Sequence, residues 1–433
     1  MNGLFFALVS GAFLVTAIRQ LLWVAVEDSD SPMQVLTLSM IDAAESSVTL
    51  AIGLVGVMAL FLGLMKVAEK GGLLTILARL IRPLMVRLFP EIPPDHPAMG
   101  AMILNMSANA LGLGNAATPF GIRAMKELDR LNPCKGTATN SMVLFLAINT
   151  SSVTLLPTGV IALRASAGSL DPAAILPTTL FATFCSTVVA IFAVKSYQRF
   201  FPVDSTANGS DSSQSESDPI QQSQPSAEEI PTSEAYPAWV SGLVLVGVIG
   251  FIPLTIFYGK ALSPWVIPTL MVLMLGFGVW RRVRVYEAFV EGAKEGFDVA
   301  VRIIPYLVAI LVAVGMFRAS GAMGYLVTAI GSWTTQLGLP AEALPMALLR
   351  PLSGSGAYGL MASVIQDPAI GPDSYTGLLV STLQGSTETT FYVLAVYFGA
   401  VRVRRVRHAL AAALTADLAG IMAAVFICSL LFS

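Results

Sequence analysis

Histidine and cysteine are nearly missing from this chain. It has two histidines, His96 and His408, and three widely spaced cysteines, Cys134, Cys185 and Cys428, with no CxxC pair. A disulfide framework and a zinc site are therefore not expected. Charge is scarce as well. Only 12% of the 433 residues are charged, against about 25% in a soluble domain. That is too few to cover a water-soluble globule of this size. The net charge of −2 offers no global surface for a nucleic acid. Enzyme signatures are missing too. There is no HExxH, no Ser–His pair suited to an intramembrane protease, and the Ser353-Gly-Ser-Gly stretch lacks the GK[ST] ending of a P-loop. The chain is read as a non-enzyme without a cofactor, apart from Na⁺ or H⁺ as a coupling ion.

Apolar sequence is what the chain has in plenty, with 55% hydrophobic residues and a mean hydropathy of +0.74. Stretches of membrane-spanning length lie at 3–25, 47–66, 138–161, 173–195, 237–258, 261–280, 299–318, 375–399 and 409–431. The fold class is an all-α polytopic membrane protein. The first stretch lacks a basic leader and a clear A-x-A site, so it reads as a retained helix. Two further apolar stretches, 97–122 and 341–365, are broken by Gly, Asn and Ser. Such backbone cannot face lipid unsatisfied, so re-entrant hairpins are expected there. Residues 71–89 place Arg79, Arg82 and Arg87 among Leu and Ile, as an interfacial helix does. Residues 321–337 are similar but lack the positive charge.

One long hydrophilic segment interrupts the pattern. Residues 201–236 are Ser- and Gln-rich, with seven acidic residues and no Lys or Arg, and read as a disordered acidic linker. Without it the body carries 25 basic against 20 acidic residues, a net +5. The two flanking parts, 1–200 and 237–433, contain the same pieces in the same order: a span, an interfacial helix, a polar hairpin, a span broken by polar residues and a closing span. Gly112-x-Gly114 corresponds to Gly354-x-Gly356, and Asn149-Thr-Ser-Ser152 to Gln384-Gly-Ser-Thr387. Placing every basic cluster in the cytoplasm leaves five spans between the starts of the two repeats. An odd number makes them inverted, an architecture of secondary transporters. It puts the N-terminus and linker on the cytoplasmic side of a bacterial inner membrane.

The stretches Asn105–Pro119, Arg350–Met361 and Gln384-Gly-Ser-Thr-Glu388-Thr-Thr-Phe-Tyr392 carry a family resemblance. Residues 1–200 resemble spore maturation protein A and residues 237–433 resemble spore maturation protein B. Both parts also resemble the nucleoside-recognition, or gate, domain of concentrative nucleoside transporters. The resemblance implies that each inverted half supplies an interfacial helix, a re-entrant hairpin and a partly unwound helix. It implies a solute and sodium site between hairpin tips and unwound segments, and a homo-oligomer.

Several residues could carry the chemistry. Glu388 is a carboxylate in an otherwise apolar span, costly there by about 2.5–3.5 kcal/mol. It could bind a coupling Na⁺ or H⁺, bind a cationic or hydroxylated solute, or pair with Arg350. Arg350 precedes the Ser353–Ser355 tip and could hold an anion or only pin the hairpin. Asn149, Thr150, Ser151 and Ser152 lie just before Pro157, which cannot donate to the carbonyl of Val153, so the helix is expected to unwind there. Their hydroxyls and freed carbonyls could bind a cation or solute, or serve as packing glue. Asn105, Asn109, Asn115 and Thr118 on the first hairpin are open to the same two readings. In the second half Gln384, Ser386, Thr387 and Thr389 complete the candidate set. Arg302 and Arg318 read as snorkelling side chains, and Asp417 is given no site role. The function expected is secondary transport of a small polar solute. The alternatives are a carrier of an amphiphilic or lipid-linked substrate, and a non-transporting scaffold for envelope or spore assembly.

Overall fold

The computed structural model describes residues 2–24, 30–112, 114–201, 236–322, 324–325 and 334–432, with backbone only at 2–4, 114–116, 251–264, 303, 306 and several positions of 238–249. The expected second interfacial helix, 321–337, falls largely outside these residues, as does the linker. Every element among the described residues is a helix, apart from a single β-bridge between Thr137 and Arg405. In the first half these are α1 (Asn2–Leu21), α2 (Pro32–Lys70), α3 (Leu73–Leu88), α4 (Pro97–Ala110), α5 (Gly114–Arg130), α6 (Asn140–Thr150), α7 (Thr158–Ser166) and α8 (Leu176–Tyr197). In the second they are α9 (Ala238–Trp280), α10 (Val285–Ala319), α11 (Leu344–Leu349), α12 (Gly354–Ile365), α13 (Tyr375–Ser386), α14 (Thr390–Gly399) and α15 (Ala409–Phe432).

Local chemistry sets the ends of these helices. Ser31 and Gln34 form a reciprocal capping box at the start of α2, with Pro32 at the first helical position. The 39 residues of α2 measure about 60 Å, twice the roughly 30 Å hydrocarbon core. Its last turn is closed by Gly71 and by Gly72 at φ +85°. Helices α2, α8 and α15 are each long and apolar enough to cross a membrane, and α10 becomes a fourth if its two arms are joined. Those arms, Val285–Arg302 and Leu307–Ala319, meet at a 41° bend around Pro305, which removes one helical hydrogen bond. The chain is a multi-pass helical membrane protein.

One expectation is corrected. The spans placed at 237–258 and 261–280 form a single continuous helix, α9, of 43 residues. Each stretch is long enough to span alone, but apolar length does not by itself oblige the chain to turn between them. The crossing count that argued for inversion loses one member, and what the structure shows directly is the contacts between helices of the two halves.

Those contacts are clear. Helices α2 and α10 pack along each other with opposite directions. A Cβ at Gly296 would sit 2.7 Å from Ala59, one at Gly292 2.4 Å from the Leu62 carbonyl, one at Gly63 2.8 Å from the Phe289 ring, and one at Gly315 3.2 Å from Ala43. The absent side chains let the two backbones touch, the usual means of packing helices in lipid. Helices α8 and α15 are also antiparallel, with Phe181 against Phe426 at 6.2 Å and Ser186 Oγ donating to the Ala416 carbonyl at 2.8 Å. Two large apolar cores result, with two smaller clusters beside them. One joins α2, α7, α10, α12 and α13; the other joins α3 to α6, α14 and the start of α15. The hairpin α4–α5 belongs to the second core and α11–α12 to the first.

Candidate functional site

Between the two cores lie two broken helices. In the first half the helix stops at Thr150 because its polar residues fold back on it. Asn149 Nδ2 donates to the Phe145 carbonyl at 2.9 Å, Thr150 Oγ1 to Ala147 at 2.9 Å and Ser151 Oγ to Ala147 at 2.8 Å. The chain runs unwound to Pro157 and restarts as α7. In the second half α13 ends at Ser386, Thr387 is extended, and α14 begins at Thr390. The breaks touch: the Glu388 amide donates to the Thr150 carbonyl at 2.8 Å. On one side of this crossing α6 lies against α14, with the Phe145 and Tyr397 rings stacked at 6.0 Å. On the other, α7 lies against α13, joined by Arg164.

Arg350 closes the second break. Its Nε donates to the Gln384 carbonyl at 3.0 Å, its Nη1 to Thr389 Oγ1 at 3.0 Å and its Nη2 to the Thr387 carbonyl. A buried guanidinium thus covers the carbonyl end of α13, where the helix dipole favours a cation. The cation also stands 3.7 Å from Glu388.

A cleft of about 210 Å³ opens at the crossing. Asn109, Gly112, Thr154 and Thr158 line it from the first half, and Arg350, Tyr358, Gln384 and Glu388 from the second. Glu388 is not buried, as its apolar surroundings in sequence suggested. Its side chain is 52% exposed, because the break turns it into the cleft. The carboxylate sealed inside the protein is Asp417, 2% exposed and bonded to Thr390 Oγ1 at 2.7 Å.

The other candidates separate into groups. Asn105 joins the two arms of its hairpin, donating to the Ala117 carbonyl at 2.8 Å, and meets Tyr397 Oη at 3.1 Å. Asn109 Nδ2 donates to Asn149 Oδ1 at 2.9 Å, so the hairpin is tied to the first break. Ser151, Ser152, Ser386 and Thr387 are buried behind the cleft rather than on it. Ser353 caps α12 through the Gly356 amide at 3.0 Å, and Ser355 is exposed away from the cleft. Thr118 is half-buried on α5 and does not line the cleft, and the Asn115 side chain lies outside the described residues. Arg302 is exposed, and Arg318 pairs with Asp367 at 2.9 Å. His408 lies buried just before α15. Burial and the neighbouring Arg407 push it down to about 4.

Sequence reasoning missed four participants. Tyr358, whose hydroxyl donates to the Gly159 carbonyl at 3.0 Å, closes one wall of the cleft. Thr154 and Thr158 follow the polar run that was singled out, and the fourth is Asp417. Gly112 shows its role only in three dimensions. It sits at φ +75°, and a Cβ there would meet the Leu156 carbonyl at 2.3 Å, while the Leu155 amide donates to the Ala110 carbonyl at 2.9 Å. The hairpin turn is thus pressed onto the first break. Gly112→Ala is expected to lower stability by about 2 kcal/mol or more, from left-handed strain plus the clash. Thermal unfolding in detergent measures it.

Fold and cleft together define a class: a helical membrane protein whose halves meet at two crossed, broken helices. The family model described as "Gate: Nucleoside recognition" matches residues 51–167 and 300–404, just over half of the chain. Spore maturation protein B of Bacillus subtilis (strain 168) is 46% identical over 171 residues, covering 40% of this chain and 95% of that protein. Spore maturation protein A of the same strain is 49% identical over 148 residues, covering 34% of this chain and 76% of that protein. The chain belongs to the gate, or nucleoside recognition, family, together with spore maturation proteins A and B. Among solved structures, CNTnw in an inward-facing substrate-bound state aligns with 99% of this chain and 93% of its own, at a TM-score of 0.46 and 14% identity. An outward-facing CNTnw variant aligns at 0.44 and 13%.

Proposed function

We propose that the protein is a secondary transporter of a small polar solute, built on two inverted gate repeats with the cleft between them as the binding site. One arrangement carries this reading: a broken helix from each half, crossing at the breaks, beside a polar cleft walled by both hairpins. Broken helices of this kind free backbone groups for a solute while the rest of each helix stays satisfied. Glu388 is the group proposed to meet the solute. It faces the cleft and is held only by a 3.7 Å contact to Arg350, so it is available to an ammonium or hydroxyl. Na⁺ or H⁺ is the proposed coupling ion. The basic clusters support an inner-membrane placement with the linker in the cytoplasm.

The test uses proteoliposomes incubated with a polar small-molecule extract, followed by mass spectrometry of the lumen. At least one solute should be enriched over Glu388→Gln vesicles by tenfold or so, about 1.4 kcal/mol of solute binding. Equal lumen contents in both would overturn the reading. They would favour the scaffold, which has its own supporting observation: the donors of Asn109 and Arg350 are already used within the protein.

A further inference from the structure

Asp417 is the single acid of α15, and its surroundings are dry. It sits among Ala413, Ala416 and Gly420, and one oxygen, Oδ2, accepts from Thr390 at 2.7 Å. The other, Oδ1, is buried and has no hydrogen-bond partner. The elements packed on α15 offer it little else. Helix α6 carries no ionisable side chain. The hydroxyl of Tyr375 on α13 is bonded to the Gly338 carbonyl, and Tyr397 on α14 belongs to the Asn105–Asn149 group. Tyr392, also on α14, is exposed. On α8, Ser186 Oγ is used on the Ala416 carbonyl, Cys185 is half-buried, and Lys195 and Tyr197 sit in the last turn. Arg350 spends its donors on Gln384, Thr389 and Thr387 and makes no ion pair with Asp417. An ionised Asp417 would leave a bare negative oxygen in an apolar interior, which folded proteins avoid by neutralising the group.

We infer that Asp417 is the proton-carrying site of the protein: in the conformation described it holds a proton, while Glu388 faces the cleft on the other side of the second break. Arg350 is 3.7 Å from Glu388, and it bonds Thr389, the neighbour in sequence of the Thr390 that holds Asp417. When the second hairpin moves off the second break, the Gln384 and Thr387 carbonyls leave Arg350, and the guanidinium is free to turn inward. The O–H bond of Asp417 then breaks, its electron pair remains on the carboxylate, and the proton passes to water entering from the cleft. The new carboxylate pairs with Arg350. Use of this proton to drive a solute rests on the transport reading above, but the occupancy of Asp417 does not.

Infrared difference spectroscopy of the full chain in phosphatidylethanolamine–phosphatidylglycerol vesicles, titrated from acidic to alkaline buffer, tests this with no solute added. A protonated carboxyl C=O band should be present at neutral pH and vanish in alkali. It should be lost in Asp417→Asn and persist in Glu388→Gln. In Thr390→Val, which keeps the acid but removes its hydrogen bond, it should move to higher frequency. A spectrum with no protonated carboxyl at neutral pH would overturn the proposal, and so would a band lost in Glu388→Gln but kept in Asp417→Asn. Because no solute is involved, a failed uptake assay alters none of these outcomes.

Discussion

Arg164→Leu is expected to be the most destabilising substitution in the first half, costing about 3 kcal/mol or more. The guanidinium is fully buried. It donates to Asp373 Oδ1 at 2.9 Å, to the Pro372 carbonyl at 2.6 Å, to the Asp171 carbonyl at 3.1 Å and to Ser169 Oγ at 3.0 Å. It thus ties the end of α7 to the start of α13, 209 residues away in the chain. Leucine matches the apolar stem but leaves those acceptors facing a hydrocarbon surface. Asp373 remains partly exposed and regains water, which keeps the loss near the lower end of the range for breaking buried pairs. Arg164→Lys should recover little, since one ammonium cannot serve acceptors spread around a planar fork. Thermal unfolding in detergent should show both variants well below the native protein. A lysine variant as stable as the native chain would show that charge alone matters there.

Arg350→Gln should come close behind it, at about 2–4 kcal/mol, with a different signature. It uncovers the Gln384 and Thr387 carbonyls at the end of α13, each worth about 1–3 kcal/mol when left without a donor. Glutamine has one amide to offer where the guanidinium serves three acceptors. Glu388→Gln is the matched control. It removes the Arg350–Glu388 pair, but the carboxylate is half in solvent and 3.7 Å away, so the change should be within about 1 kcal/mol. If the two variants unfolded at the same temperature, the ion pair and not the carbonyl cover would be what holds the break.

The order of parts was legible because it rests on strong signals. Apolar runs of spanning length, Gly- and Asn-broken stretches and a proline after Asn149–Ser152 each have one dominant physical reading. The acids were harder. Glu388 and Asp417 both interrupt apolar sequence, and the flanking residues held the distinction. Ser386, Thr387, Thr389 and Thr390 mark a break, which admits water to Glu388, while the Ala and Leu around Asp417 mark an unbroken helix and a dry site. Arg164 gave no local sign of its role, because half of its acceptors come from the far half of the chain. The α9 helix was misread because each of its two apolar stretches is long enough to span alone, and only the backbone reveals that the helix runs on from one into the other.

The bond from the Glu388 amide to the Thr150 carbonyl also bears on how the chain is made. The first half leaves the ribosome with the Thr150 carbonyl at the end of α6 and part of the Arg164 fork prepared for partners that have not been synthesised. In a bilayer no water waits to satisfy them. Those bonds can close only when α13 and α14 arrive. Maturation of the protein is then a late, single closure in which both halves gain their missing hydrogen bonds together, and biogenesis should be most sensitive to damage in its last quarter.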